Sequence, residues 1–161
     1  LLRKFHEAKQ RGDATVTIWG TGTPWNQIEE RSRQYMADRI HLIDAGMPAL
    51  ADDNFGMDES FRKEIARVLP DHPLEEIPFD HPVFSAYYVF ENGLPKIHEH
   101  YGGPPKLYGI YVDGRLAVFY TFNTDIGDGL ESEGVHPQDT AETREQAMKM
   151  AINIVLFVLT S

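Results

Sequence analysis

The sequence predicts one α/β domain, a three-layer sandwich with a mostly parallel sheet and a C-terminal β-hairpin. Three observations carry this. Stretches with apolar residues at helical spacing alternate with short apolar or β-branched runs, the pattern of helices covering a sheet. Asp113-Gly114 separates two such runs near the end, and Asp-Gly favours the type I′ turn of a hairpin. The 161 residues are 42% hydrophobic and 25% charged, enough for one domain with its own core. No repeat, linker or low-complexity tract divides them.

The elements follow in order. Residues 1–10 read as a helix closed by Arg11-Gly12-Asp13. Thr15 to Trp19 is a β-branched strand, broken by Gly20-Thr21-Gly22-Thr23-Pro24. That glycine turn lacks the lysine and full spacing of a phosphate loop. Residues 26–40 are helical, with Ile28, Tyr35, Met36 and Ile40 on one face. A short strand spans Met47 to Ala51, where Pro48 donates no ladder hydrogen bond and so predicts an edge position, a late start or a distortion. A helix at 58–69 buries Phe61, Ile65, Val68 and Leu69, with Asp58 or Ser60 as capping types and Pro70 behind it. After a proline-braced connection, Val83 to Phe90 is a strand candidate, and residues 91–106 are irregular. The hairpin pairs Leu107–Val112 with Leu116–Phe122; a polar loop covers 123–139. A last helix at 141–159 is apolar almost all round beyond its first turns, as in helices buried against a sheet.

Charge and composition exclude several functions. Fifteen Lys and Arg against 25 Asp and Glu give a net charge of -10, which opposes a nucleic-acid backbone or anionic membrane as main partner. Neutral, cationic or metal-bridged ligands suit it better. The 161 residues contain no cysteine, so no disulfide, thiolate metal site or Cys nucleophile is available among them. Leu1 to Glu7 reads as a helix and not as an apolar leader, and Ile152 to Leu159 is far short of the ~20 residues that span a bilayer. The expectation is a soluble chain without a signal peptide or membrane insertion, cytoplasmic or periplasmic, its oligomeric state open.

Five strings stand out: ADDNFGMDESFRKEI, RVLPDHPLEEIPFDHPVF, FENGLPKIHEH, YGIYVDGRLAVFYTFNTDIGDGLES and AMKMAINIVLFVLT. Together they resemble the DUF4159 family, a bacterial domain of unknown function, over roughly residues 45–160. The resemblance implies a flavodoxin-like fold of the class I glutamine amidotransferase-like and ThuA-like kind. It also sets out departures. The family's first strand is absent ahead of the opening helix. Its Gly-His-Gly turn is Gly20-Thr21-Gly22 here, and its Gly-Trp-Glu-Asp loop is Gly129-Leu130-Glu131-Ser132. Its Met-Gly-Ala-Asn-Ile helix motif is Met150-Ala151-Ile152-Asn153-Ile154.

The candidate site gathers at strand ends, where open α/β sheets bind ligands. Asp52, Asp53 and Asn54 lie between the strand at 47–51 and the following helix. Amidotransferase-like folds carry their nucleophile at this turn. Carboxylates stand there instead, so glutaminase chemistry through a thiolate is ruled out. They can bind a cation, act as a base, cap the helix or hold loop amides. In His98-Glu99-His100 an extended backbone projects both imidazoles to one face, where they can ligate a metal with Asp52 or Asp53, or clamp a loop. His81, before Pro82, is either pocket-lining or a turn brace. Asp125, Asp128 and Glu131 sit in a glycine-bearing loop, either a hard-cation site without EF-hand spacing or, more ordinarily, a solvated acidic loop. Arg115 can pair with these acids or with a ligand, a surface ion pair being the default.

The leading expectation is a domain binding a small polar, carbohydrate-like ligand through these Asp and His residues. Asp52, Asp53, His98 and His100 are its catalytic candidates if it reacts. Asn54, His81, Glu99, Arg115, Asp125, Asp128 and Glu131 are its binding candidates. A divalent metal is compatible with the pattern and not required by it. The alternative is a non-catalytic binding or assembly module, or a redesigned or truncated scaffold without activity.

Overall fold

The computed structural model describes residues 48–52, 56–98 and 102–161. The elements expected at 1–10, 15–19 and 26–40, and the turn at 20–24, lie outside the described residues.

Strand β1, Ala49–Asp52, begins just after Pro48, the late start that a missing N–H demands. Helix α1, Asp58–Val68, follows. Asp58 and Glu59 sit in its first turn and Arg67 in its last, each complementing the helix dipole. Neither expected residue caps it: Met57 is the N-cap, and Asp58 binds Arg62 Nε one turn on at 2.8 Å. Strand β2, Glu75–Glu76, is a two-residue edge. Strands β3, Lys106–Val112, and β4, Arg115–Phe122, form the expected hairpin. Its turn residues Asp113 and Gly114 have φ of 51° and 78°, the doubly left-handed type I′ geometry. Helix α2, Ala141–Thr160, is capped by Thr140, whose Oγ1 accepts from Thr143 N.

Among the described residues the sheet order is β1-β4-β3-β2. Only β1 and β4 run parallel; β4 with β3 and β3 with β2 are antiparallel. The sheet is therefore mixed, correcting the expectation of a mostly parallel one. The hairpin turn is too short for the crossover that parallel neighbours require. Register passes from Ile110↔Val118 to Tyr111↔Leu116, so Ala117 is the extra residue of a bulge.

The sheet's two faces carry two cores. On one, Phe61 and Ile65 of α1 meet Ala49, Ile110, Val118 and Tyr120. Phe61 stacks on Tyr120 at 4.1 Å, and burying such a ring is worth about 2 kcal/mol. On the other, Ala147, Met150 and Ile154 of α2 meet Leu107, Leu116 and Phe119. Alternation along β4 sends Phe119 to one helix and its neighbours Val118 and Tyr120 to the other.

Two further expectations are corrected. Val83 to Phe90 is not a strand; a 3-10 turn at Pro82–Phe84 leads into bends. The side chain of Asn153 takes the place of a neighbouring strand there. Its Oδ1 accepts from Tyr87 N at 3.1 Å and Tyr88 N at 2.8 Å, and its Nδ2 donates to Tyr88 O at 2.7 Å. Helix α2 is also not buried all round, since Met148, Val155 and Leu159 are exposed.

Candidate functional site

Parallel pairing brings the C-terminal ends of β1 and β4 together, with Asp52 opposite Thr121. Asp52 Oδ1 accepts from Thr121 Oγ1 at 2.5 Å and from Ile126 N at 3.2 Å; Oδ2 accepts from Gly127 N at 3.2 Å. Of the roles open to this carboxylate, the geometry uses the holding of loop amides. Burial pushes its pKa up, while Thr121 and the two amides pull it back.

The first part of that loop, residues 123–129, is not solvated, which corrects the ordinary reading for Asp125 and Asp128, whereas Glu131 is half-buried and residues 132–135 are exposed. Asn123, Thr124, Asp125 and Asp128 are all buried. Asp125 Oδ1 accepts from Asp128 N at 2.9 Å and tightens the 3-10 turn at Asp128–Leu130. Burial, with the charges of Asp52 and Asp128, pushes the Asp125 carboxyl up to about 8. Gly129 presses this turn against α2, because a Cβ there would overlap Ala147 Cβ and Ile97 Cγ2.

The same loop positions His98. Thr124 Oγ1 donates to Pro95 O and accepts from Ile97 N, each at 2.8 Å, and Asp125 N donates to Ile97 O at 3.2 Å. His98 follows with φ 49°, a left-handed conformation that histidine adopts more readily than most residues. Its Nδ1 lies 3.8 Å from Asp128 Oδ2. His136 Nε2 lies 3.5 Å from Asp128 Oδ1 and 3.1 Å from Glu131 Oε2. The two imidazoles meet edge to face at 5.1 Å. Burial raises the Asp128 pKa, opposed by His136 and His98. One donor atom from each of His98, Asp128 and His136 lies within 4.8 Å of the others, so these residues could hold a metal ion.

The structure thus brings together His98, Asp125, Asp128 and Glu131, with Asp52 beneath them. Asp53, Asn54, Glu99 and His100 lie outside the described residues. Arg115 opens β4 at the hairpin turn, the far end of that strand from Asp128. His81 is a brace. Its Nδ1 accepts from Val83 N at 3.2 Å, its Nε2 meets Tyr111 Oη at 3.1 Å, and its ring packs on Phe157. Tyr111 pairs with Leu116 near that same hairpin turn, so His81 is also remote from the cluster. His136 is the residue that sequence reasoning missed; its signal was a histidine eight positions after Asp128 in the same polar loop. A surface cavity of about 560 Å³ opens between residues 89–97 and the start of α2, and His98, Asp128 and His136 are not in its lining.

A domain of unknown function, DUF4159, matches residues 27–159. The chain belongs to the DUF4159 family. That match begins before the region in which the sequence strings showed the resemblance, and it takes in β1, the buried loop and both imidazoles. No curated protein matches the chain. Among the described residues of this DUF4159 domain, no helix is long and apolar enough to cross a membrane.

Proposed function

We propose that this DUF4159 domain binds a small polar ligand at the shared end of β1 and β4. One observation carries the reading: a buried floor anchored by Asp52 presents Asp128 and Glu131 to two histidines whose side chains stay 28% and 22% exposed. Carboxylates accept hydroxyl protons and imidazoles donate or accept, a set suited to a hydroxyl-rich neutral or cationic molecule. The net charge of -10 disfavours an anion. The amidotransferase-like and ThuA-like relation belongs to the same proposal. It assigns a functional turn to the end of the strand that Asp52 closes, and it suggests a carbohydrate-like ligand by fold analogy. Asp52 then serves as a positioning residue, with His98, Asp128, Glu131 and His136 touching the ligand.

Titrating neutral monosaccharides and polyols into isotopically labelled protein tests this. The expected result is resonance shifts at His98, Asp128, Glu131 and His136, lost in Asp128→Asn. Shifts confined to the cavity at 89–97, or unchanged in Asp128→Asn, would refute it.

A further inference from the structure

We propose that His98, Asp128 and His136 bind one divalent cation of the zinc class, with Glu131 as a fourth donor. The inference deepens the reading above, because the cation would sit at the same edge and could bridge a polar ligand. The donor set is the first argument. Two imidazoles and a carboxylate suit Zn²⁺ or its transition-metal neighbours, whereas Mg²⁺ and Ca²⁺ take all-oxygen shells.

Spacing is the second argument. At 3.5 and 3.8 Å, the imidazole contacts of Asp128 are too long for hydrogen bonds. Bonds of ~2.1 Å to one tetrahedral ion put its donors ~3.4 Å apart. Donor atoms already within 4.8 Å of one another reach that spacing through small side-chain rotations. Glu131 Oε2 lies 3.1 Å from His136 Nε2, outside the group of three, and would join the ion by turning toward it.

The surroundings are the third. Asp139 Oδ2 is buried without a hydrogen-bond partner, and its charge acts on Asp128. Asp128, Glu131 and Asp139 therefore add negative charge around the two imidazoles, which a cation offsets. The backbone beside His98 and at Asp128 is fixed by the Ile97–Thr124 bond and by the Asp125 cap on Asp128. Gln138 is exposed and meets His98 Nδ1 at 2.7 Å; its amide swings aside when that nitrogen takes the ion.

The test uses Zn²⁺ alone, with no polar ligand. Calorimetry on the wild-type chain should give one ion per chain, not displaced by millimolar Mg²⁺. His98→Ala, His136→Ala and Asp128→Asn should each weaken binding at least ~10-fold. Imidazole ¹⁵N shifts in the wild type give a second readout that needs no variant. Of the seven histidines, His98 and His136 should both move on zinc addition. Absence of stoichiometric binding, shifts at other histidines alone, or equal affinity in folded His98→Ala and His136→Ala would overturn the proposal. Sugar-induced shifts that persist where zinc fails to bind would remove the cation and leave the polar-ligand site standing.

Discussion

Replacing Asn153 by alanine tests how the irregular segment after the 3-10 turn is held. Asn153 is fully buried in α2 and makes three hydrogen bonds to the Tyr87 and Tyr88 peptide groups. Each such bond contributes about 1 kcal/mol net, so their loss costs about 3 kcal/mol. Alanine recovers roughly 0.6 kcal/mol of helix propensity. The expected destabilisation is therefore about 2.5 kcal/mol, or a Tm lower by roughly 5–10 °C for a chain of this size. Urea unfolding with linear extrapolation measures the first quantity. Hydrogen exchange at the Tyr87 and Tyr88 amides locates it. A loss below about 0.5 kcal/mol, or unchanged exchange at those two amides, would show that Asn153 does not hold the segment.

The other predictions concern the loop and its surroundings. Gly129→Ala should destabilise by about 2 kcal/mol through overpacking against Ala147 and Ile97, read in the same urea assay; a neutral effect would mean that the turn can move away. Thr121→Val removes a donor to the Asp52 carboxylate and should cost about 2 kcal/mol, with faster exchange at the Ile126 and Gly127 amides. His81 is expected to make stability depend on pH. Burial lowers its pKa below 6.5, so the unfolded chain takes up the proton first. Its contribution is full above pH 6.5 and declines as pH falls through the folded-state value. Protonated Nδ1 also ceases to accept from Val83 N. Urea unfolding from pH 7.5 to 5 should show a steeper decline in wild type than in His81→Asn, and parallel declines would contradict this.

What the sequence made legible was local. Asp113-Gly114 determines its own turn, and Pro48 displaces the strand start by its own missing N–H. Phe61 and Ile65 mark the buried stripe of α1 at a spacing readable in one window. What it hid depends on partners far along the chain. Val83 to Phe90 has strand-like composition, yet its peptide groups bind Asn153, 65 and 66 positions away. The acidic loop looks solvated until Asp52 draws its amides inward. Arg115 and His81 belong to the wrong end of the sheet, a fact of topology that side-chain chemistry does not reveal. The fold also places His136 against His98 from 38 positions along the chain, a pairing that no local spacing reveals.

The reach of Asp52 has a kinetic consequence. Its bonds close loops of 69, 74 and 75 residues, each an entropic cost of about 4 kcal/mol for a flexible chain. The hairpin closes over a two-residue turn and can form early, whereas the site must await the docking of β1. Four residues long and, among the described strands, paired only with β4, β1 is held to the sheet by few bonds. When it lifts, the floor of the site leaves with it. A ligand seated between His98 and His136 would therefore slow the opening of a strand that it never touches.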